Sequence, residues 1–313
     1  MIEATAVNAT GRISYGDLGL YSDDNEKSLG RILTSCRRYG NTPIGIQIAH
    51  SGRKGSTHLP WKGGAPLTPK EEAWQTVAPS AIARGKNWPI PHELSIEEID
   101  SIKKDFIAST ERASRLNIDL IELHVAHGYL LHEFMSPISN TRNDQYGGNL
   151  ENRMRLPLEI AEAMRSVWPK EKPMGARITG NDWLPGGLIV SDAVIFAKKL
   201  KEIGIDYVCV TSTGIVPTSE VKFSAGYQVS FAAEVKRQAD IPTQTVGLIT
   251  TPEQAERIIA ESDADMVAIA RSFLDDPRWV WHAAQKLGAD AAYPPQYFRC
   301  RSDVWPEANP KKD

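Results

Sequence analysis

Cysteine is scarce in this chain: there are three in 313 residues, Cys36, Cys209 and Cys300, and no C-x-x-C pair. That spacing argues against a disulfide framework, a zinc knuckle and an iron–sulfur cluster, and makes a reducing cytoplasm the default compartment. No apolar run approaches the ~18 residues of a membrane-spanning helix. An excess of either charge is also missing. The 36 Lys and Arg against 39 Asp and Glu leave a net −3, which offers little to nucleic acid or to an anionic membrane. Met1-Ile-Glu-Ala-Thr-Ala-Val7 has neither the basic start nor the long apolar core of a signal peptide. No G-x-G-x-x-G follows an apolar run, which counts against a Rossmann dinucleotide domain. No stretch of linker composition divides the chain, so one domain over residues 1–313 is expected.

What is present is the composition of an ordinary globule, 41% apolar and 24% charged. Short apolar runs rich in Ile or Val recur at residues 44–48, 118–123, 174–178, 207–210, 243–246 and 266–269. Such runs suit parallel strands covered on both faces. Residues 2–7 read as a further strand, already under way at the start. Between the later runs lie stretches of helical length. Residues 192–203 carry Val194, Ile195, Ala197 and Leu200 on one side, and residues 252–261 carry Ala255, Ile258 and Ile259. Ser95-Ile-Glu-Glu98 reads as a capping box stapled by Leu94 and Ile99. Thr251-Pro252-Glu-Gln254 sets a capping hydroxyl before a first-turn proline, with a glutamine able to reach back.

Repeated strand–helix alternation without an antiparallel hairpin favours a closed (β/α)8 TIM barrel over an open doubly wound sheet. The strands number seven where a closed barrel needs eight, one short of closure. Residues 51–94 form a long segment with Pro60, Pro66, Pro69, Pro79, Pro89, Pro91 and a Gly63-Gly64 pair. Structureless loops of that length are usually lids or disordered. This one follows a strand at the expected active-site face.

The most informative segment is Glu122-Leu-His124-Val-Ala-His127-Gly-Tyr129. It places two imidazoles and a phenol where a buried strand ends, the position at which a β/α enzyme sets catalytic groups. Two adjacent donors can hold a developing negative charge, and a phenol can deliver a proton. The plainer alternative is that the histidines are satisfied packing residues. Gln47, an amide among apolar neighbours, suits either a heterocycle edge or a core bond to nearby backbone. Arg177, inside a strand, requires an anion, several acceptors or a structural ion pair. Gly247 and Arg271 end the last two runs, where barrels commonly bind phosphate. The polar run 136–153 reads mainly as a hydrogen-bonded loop.

The chain closely resembles the old yellow enzyme family of FMN-dependent ene-reductases, in particular its bacterial branch with short C-terminal arms. The matching motifs are Gln47-Ile-Ala-His50-Ser-Gly52-Arg53-Lys54, His124-x-x-His127-Gly128-Tyr129-Leu-x-His132-x-Phe134, Asn140-x-Arg142-x-Asp144-x-Tyr146-Gly147-Gly148 and Asp182-Trp-Leu-Pro-Gly186-Gly187. The resemblance implies a TIM barrel holding FMN at its C-terminal mouth, with NADPH or NADH as hydride donor. It assigns Ala4, Gln47, Arg177, Gly247, Ala270 and Arg271 to the cofactor. His124 and His127 would bind the oxygen of an electrophilic alkene, a carbonyl or nitro compound, and Tyr129 would supply a proton. Arg299, on the 289–313 arm, would reach a neighbouring subunit's site, which makes a homo-oligomer, dimer or tetramer, the expected assembly. Relative to the family, the first βα unit is absent, Ala270 replaces a usual glycine, and a coding start upstream of Met1 is expected. Two rival readings stand beside this one. The first is a metal-dependent barrel hydrolase or lyase ligated by His124 and His127, with His132 or Glu122. The second is a truncated barrel that binds flavin without turnover.

Overall fold

The computed structural model describes residues 1–218, 221–301 and 303–305. Its strands are β1 (Ile2–Ala6), β2 (Gly45–Ala49), β3 (Val77–Ala78), β4 (His92–Glu93), β5 (Leu120–Val125), β6 (Met174–Thr179), β7 (Tyr207–Thr211), β8 (Thr243–Thr245) and β9 (Met266–Val267). The helices are α1 (Asp23–Arg37), α2 (Ile96–Arg115), α3 (Leu130–Met135), α4 (Leu150–Val167), α5 (Val190–Ile203), α6 (Val229–Ala239), α7 (Pro252–Ala260), α8 (Arg271–Asp275) and α9 (Trp279–Lys286). Seven strands form one parallel sheet in the order β1-β2-β5-β6-β7-β8-β9, so neighbours in sequence are neighbours in space. That order, with a helix after nearly every strand, is a TIM barrel carrying seven of its strands. β3 and β4 pair separately, in parallel, within the long 51–94 segment.

The period-two alternation of strands explains which residues reach the site. Ile46, Ile48, Ile121, Leu123, Val125, Ile178, Val208 and Val210 join the helix residues Ile99, Phe106, Ile160 and Phe196 in one buried core. The residues between them, Gln47, Ala49, Glu122, His124, Gly175, Arg177, Tyr207 and Cys209, occupy the opposite face. Register aligns them: Gln47 pairs with Glu122, His124 with Arg177, and Arg177 with Cys209. One face is thus greasy and sealed by helices, and the other carries polar and ionisable side chains.

The caps form as read. The Ser95 hydroxyl accepts the Glu98 N–H at 3.2 Å, and the Glu98 carboxylate accepts the Ser95 N–H at 2.7 Å. Thr251 caps α7 through the Gln254 N–H, although the Gln254 side chain accepts from Thr250 rather than Thr251. Other expectations are corrected. The 51–94 segment is ordered into three short 3-10 turns and the β3–β4 pair, because Thr57, Thr76 and Ser80 are buried within it. The polar run 136–153 ends in helix, with Asn149 capping α4 through the Asn152 N–H and Pro157 carried inside. Helix α1 had no strong periodic signal, since only Leu29 and Leu33 of its fifteen residues are buried. β8 and β9 are shorter than the apolar runs that announced them.

Candidate active site

The site is built where β5 turns into α3. β5 delivers His124 opposite Arg177 of β6. The chain then reverses through His127 at φ 60° and Gly128 at φ 69°, both left-handed. A side chain at Gly128 would place its Cβ 2.2 Å from the Gly214 carbonyl oxygen, so only glycine fits this crossing. Tyr129 immediately precedes α3, and the three rings gather as the spacing predicted. Ring centroids lie 5.1 Å apart for His124–His127, 5.1 Å for His124–Tyr129 and 6.5 Å for His127–Tyr129. His127 Nε2 is 2.9 Å from the Thr211 hydroxyl at the end of β7. The Lys54 ammonium donates to the His127 carbonyl at 2.5 Å and sits 4.5 Å from the centre of the Tyr129 ring.

Burial sets the protonation of these groups. It holds both imidazoles well below their ordinary range, reinforced by the Arg177 guanidinium and by Lys54. Burial also pushes the Tyr129 phenol up to about 12. Near pH 7 the site therefore presents two neutral imidazoles and a protonated phenol.

Below the rings lies a polar floor. Gln47 Nε2 donates to Glu122 Oε1 at 2.6 Å, and the Tyr207 hydroxyl donates to Glu122 Oε2 at 3.0 Å. The amide is therefore paired with a buried carboxylate rather than with backbone. Tyr207 reaches across because Gly175 of β6 leaves room; a Cβ there would lie 2.2 Å from the Tyr207 ring. Arg177 is half-buried, its Nε has no partner, and no acid pairs with it among the described residues. The structural ion pair considered for it is not formed.

At the ends of β8 and β9, Gly247, Ala270 and Arg271 line one cleft of about 300 Å3. Gly247 has φ 117°, Ala270 begins α8, and Arg271 is exposed. Sequence reasoning missed two residues beside this cleft. Tyr227 is placed so that both Arg271 and Arg177 act on its phenol, which burial raises. Gln228 accepts from Thr211 and Ser212 and donates to the Val246 carbonyl, tying the end of β7 to β8. They precede α6 in a segment without hydrophobic period, where Gly226 is a lone glycine. Ala4 shares a small cavity with Ala49 and Tyr129. Arg299 lies exposed in a 3-10 turn, 5.8 Å from the Phe298 ring, and is not brought to this chain's own site. Residues 302 and 306–313 of the C-terminal arm lie outside the described residues.

These features fit a flavin mononucleotide. The orphaned, buried Arg177 Nε and His124 Nδ1 need acceptors or donors from a ligand, and the Gly247–Arg271 cleft offers one exposed arginine, the hydroxyls of Thr250 and Ser272 and glycine backbone to a phosphate. A metal fits poorly. Among the described residues no group of three or more His, Cys, Asp or Glu is arranged to hold one. His132 is committed to Asp182 at 2.8 Å, and Glu122 to Gln47 and Tyr207.

The profile of the NADH:flavin oxidoreductase / NADH oxidase family matches residues 1–290. The chain is 41% identical over 299 residues to an NADPH dehydrogenase of Geobacillus sp. (strain WCH70), covering 96% of this chain and 82% of that one. It is 38% identical over 300 residues to an NADPH dehydrogenase of Bacillus subtilis (strain 168), covering 96% and 83%. Among solved structures, morphinone reductase in complex with tetrahydroNAD superposes with a TM-score of 0.72 at 26% identity, covering 95% of this chain and 80% of that one. Profile match, relatives and barrel agree: the chain belongs to the NADH:flavin oxidoreductase / NADH oxidase family, as an FMN-dependent enzyme that draws electrons from a nicotinamide donor.

Proposed function

We propose that this enzyme reduces the C=C bond of α,β-unsaturated carbonyl or nitro compounds at the expense of NAD(P)H. Bound FMN would supply the hydride chemistry, accepting hydride from the nicotinamide and delivering it to the β-carbon of the alkene. The reading rests on one observation, the clustering of neutral His124, neutral His127 and protonated Tyr129 on one rim. His124 and His127 hydrogen-bond the carbonyl or nitro oxygen and hold the negative charge that develops there, each donor contributing about 3–4 kcal/mol. His127 donates from Nδ1 with the Thr211 hydroxyl turned from Gln228 toward Nε2, Ser212 still donating to Gln228. Tyr129 gives its phenolic proton to the α-carbon. A phenol shifted to about 12 keeps that proton until a carbanionic centre takes it.

Gln47, Arg177 and Ala4 would contact the ring system of the cofactor, and Gly247, Ala270 and Arg271 its phosphate. Arg299 would complete a second copy's site within a homo-oligomer. The chain acts as one domain in this reading, supported by a single core cluster running from Val7 to Ala264. The substrate is a small molecule. No helix among the described residues is long and apolar enough to cross a membrane.

The test is anaerobic NADPH oxidation by the FMN-loaded protein with and without a simple cyclic enone, with the product analysed. Enone-dependent oxidation yielding the saturated ketone supports the proposal. Flavin reduction without any enone consumption overturns it and favours a flavin-binding barrel that does not turn alkenes over.

A further inference from the structure

The motif Asp182-Trp-Leu-Pro-Gly186-Gly187 and the third histidine of the β5–α3 segment, His132, have no part in the chemistry above, yet both His132 and Asp182 are fully buried. His132 Nδ1 accepts the Gly128 N–H at 2.7 Å and lies 3.4 Å from the Thr179 hydroxyl. A ring nitrogen that accepts a backbone N–H carries no proton, so the imidazole proton is on Nε2. Nε2 donates to Asp182 Oδ1 at 2.8 Å. The other carboxylate oxygen accepts the Ser136 hydroxyl at 2.7 Å and the Leu188 N–H at 2.8 Å. Burial opposes the charged carboxylate, but the His132 ring and these donors outweigh it and hold Asp182 below the usual carboxylate range.

The glycine pair of the motif makes this wrapping feasible. Gly186 turns at φ 75°. A Cβ on Gly187 would stand 2.7 Å from the Asp182 Cβ, so Leu188 could not otherwise fold back onto the carboxylate.

The far end of this chain of bonds is the turn that aims His127. His127 is held in the left-handed region, which L-residues occupy only when their surroundings enforce it. The following N–H, that of Gly128, is the one His132 captures. On its other side the turn is closed by the 212–215 loop, where a Cβ on Gly214 would lie 2.4 Å from the His127 carbonyl oxygen.

We infer that His132 and Asp182 are positioning residues: Asp182 fixes the Nε2–H tautomer of His132, His132 fixes the Gly128 amide, and the amide fixes the left-handed turn that presents His127 to the substrate oxygen. The inference rests on the reading of His127 as a ligand to that oxygen.

Two substitutions at one position separate the halves of the device. His132→Asn keeps an acceptor near the place of Nδ1, whereas His132→Gln keeps a donor toward Asp182 and removes the acceptor for Gly128. On FMN-loaded protein, affinity for added phenol, a probe whose oxygen would take the place of the substrate oxygen on His124 and His127, should stay within about threefold of the starting protein in His132→Asn and fall roughly tenfold or more in His132→Gln and in Asp182→Asn, since small misplacements of a binding group are costly. Bound FMN should be retained in all three. Equal losses in the two His132 variants, or phenol affinity falling only in step with FMN content, would overturn the inference.

Imidazole 15N NMR of the unsubstituted protein gives a reading that survives misfolded variants. An Nε2–H tautomer at His132 supports the device, and an Nδ1–H tautomer refutes it. If the unsubstituted protein binds no phenol, the proposed function fails, and the tautomer still decides the positioning pair.

Discussion

The rim at the end of β5 and the rim at the ends of β8 and β9 belong to the same parallel sheet, yet they are built in contrasting ways. The β5 rim is wired. His124 is buried, His127 is held by Thr211 and Lys54, and the turn that follows at Gly128 is bonded to the His132–Asp182 pair. The β8–β9 rim is open. β9 is two residues long and half-exposed, and Arg271 points its charge into solvent beside a cleft of about 300 Å3. Groups that must stabilise charge developing over a bond need to be preorganised, because any reorganisation is added to the barrier. A phosphate grip only needs complementary charge and backbone room, and the ligand itself can order it.

Removing the wired donors should therefore have the largest effect. In His124→Ala/His127→Ala, phenol and enone binding should vanish and enone reduction should fall by about 10² or more per donor, while FMN content stays high. Loss of the flavin from that variant would mean the two rims have been assigned the wrong way round. Next in size, Tyr129→Phe should slow the alkene half-reaction roughly a hundredfold and spare flavin reduction by NADPH, as separate stopped-flow measurements of the two halves will show.

The open rim should respond more gently. Arg271→Ala is expected to weaken FMN binding by about tenfold at low salt, with the deficit shrinking as ionic strength rises, because an exposed arginine–phosphate contact is screened. A salt-independent deficit would place Arg271 in packing rather than at a phosphate.

The smallest effect concerns Glu133, buried on α3 against the 52–53 turn, where its Oε1 accepts the Arg53 N–H at 2.9 Å. Burial raises its carboxyl to about 8. Between its ordinary value of 4.5 and about 8, the unfolded chain ionises this group while the folded chain keeps it protonated, so its contribution to stability falls as pH rises. Glu133→Gln should accordingly lose less Tm than the starting protein between pH 5 and 7. Parallel melting curves would argue that Glu133 is ionised in the fold.

Much of the site was legible because it is local. Glu122 to Tyr129 is a single strand end and turn, and the strand period alone places Glu122 and His124 on one face. The helix caps at Ser95 and Thr251 were equally local. The rest joins residues far apart in sequence: Gln47 to Glu122, Glu122 to Tyr207 and His132 to Asp182. Tyr227 and Gln228 escaped notice for the same reason, since their roles exist only once β7 and β8 are side by side. Helix α1 escaped because it shields little of the core, and a thin apolar stripe leaves a weak pattern.

The residues in their order determined the alternation of aliphatic strands with capped helices, and with it a parallel barrel, because periodicity and caps act between neighbours in the chain. They also determined that two imidazoles and a phenol share a strand end. Tertiary structure alone decided that both imidazoles are neutral, that Arg177 stands opposite His124 with an unmet donor, and that Gln47 turns to Glu122. Those outcomes depend on burial and on distances through space, which the register of the sheet sets and no single segment encodes.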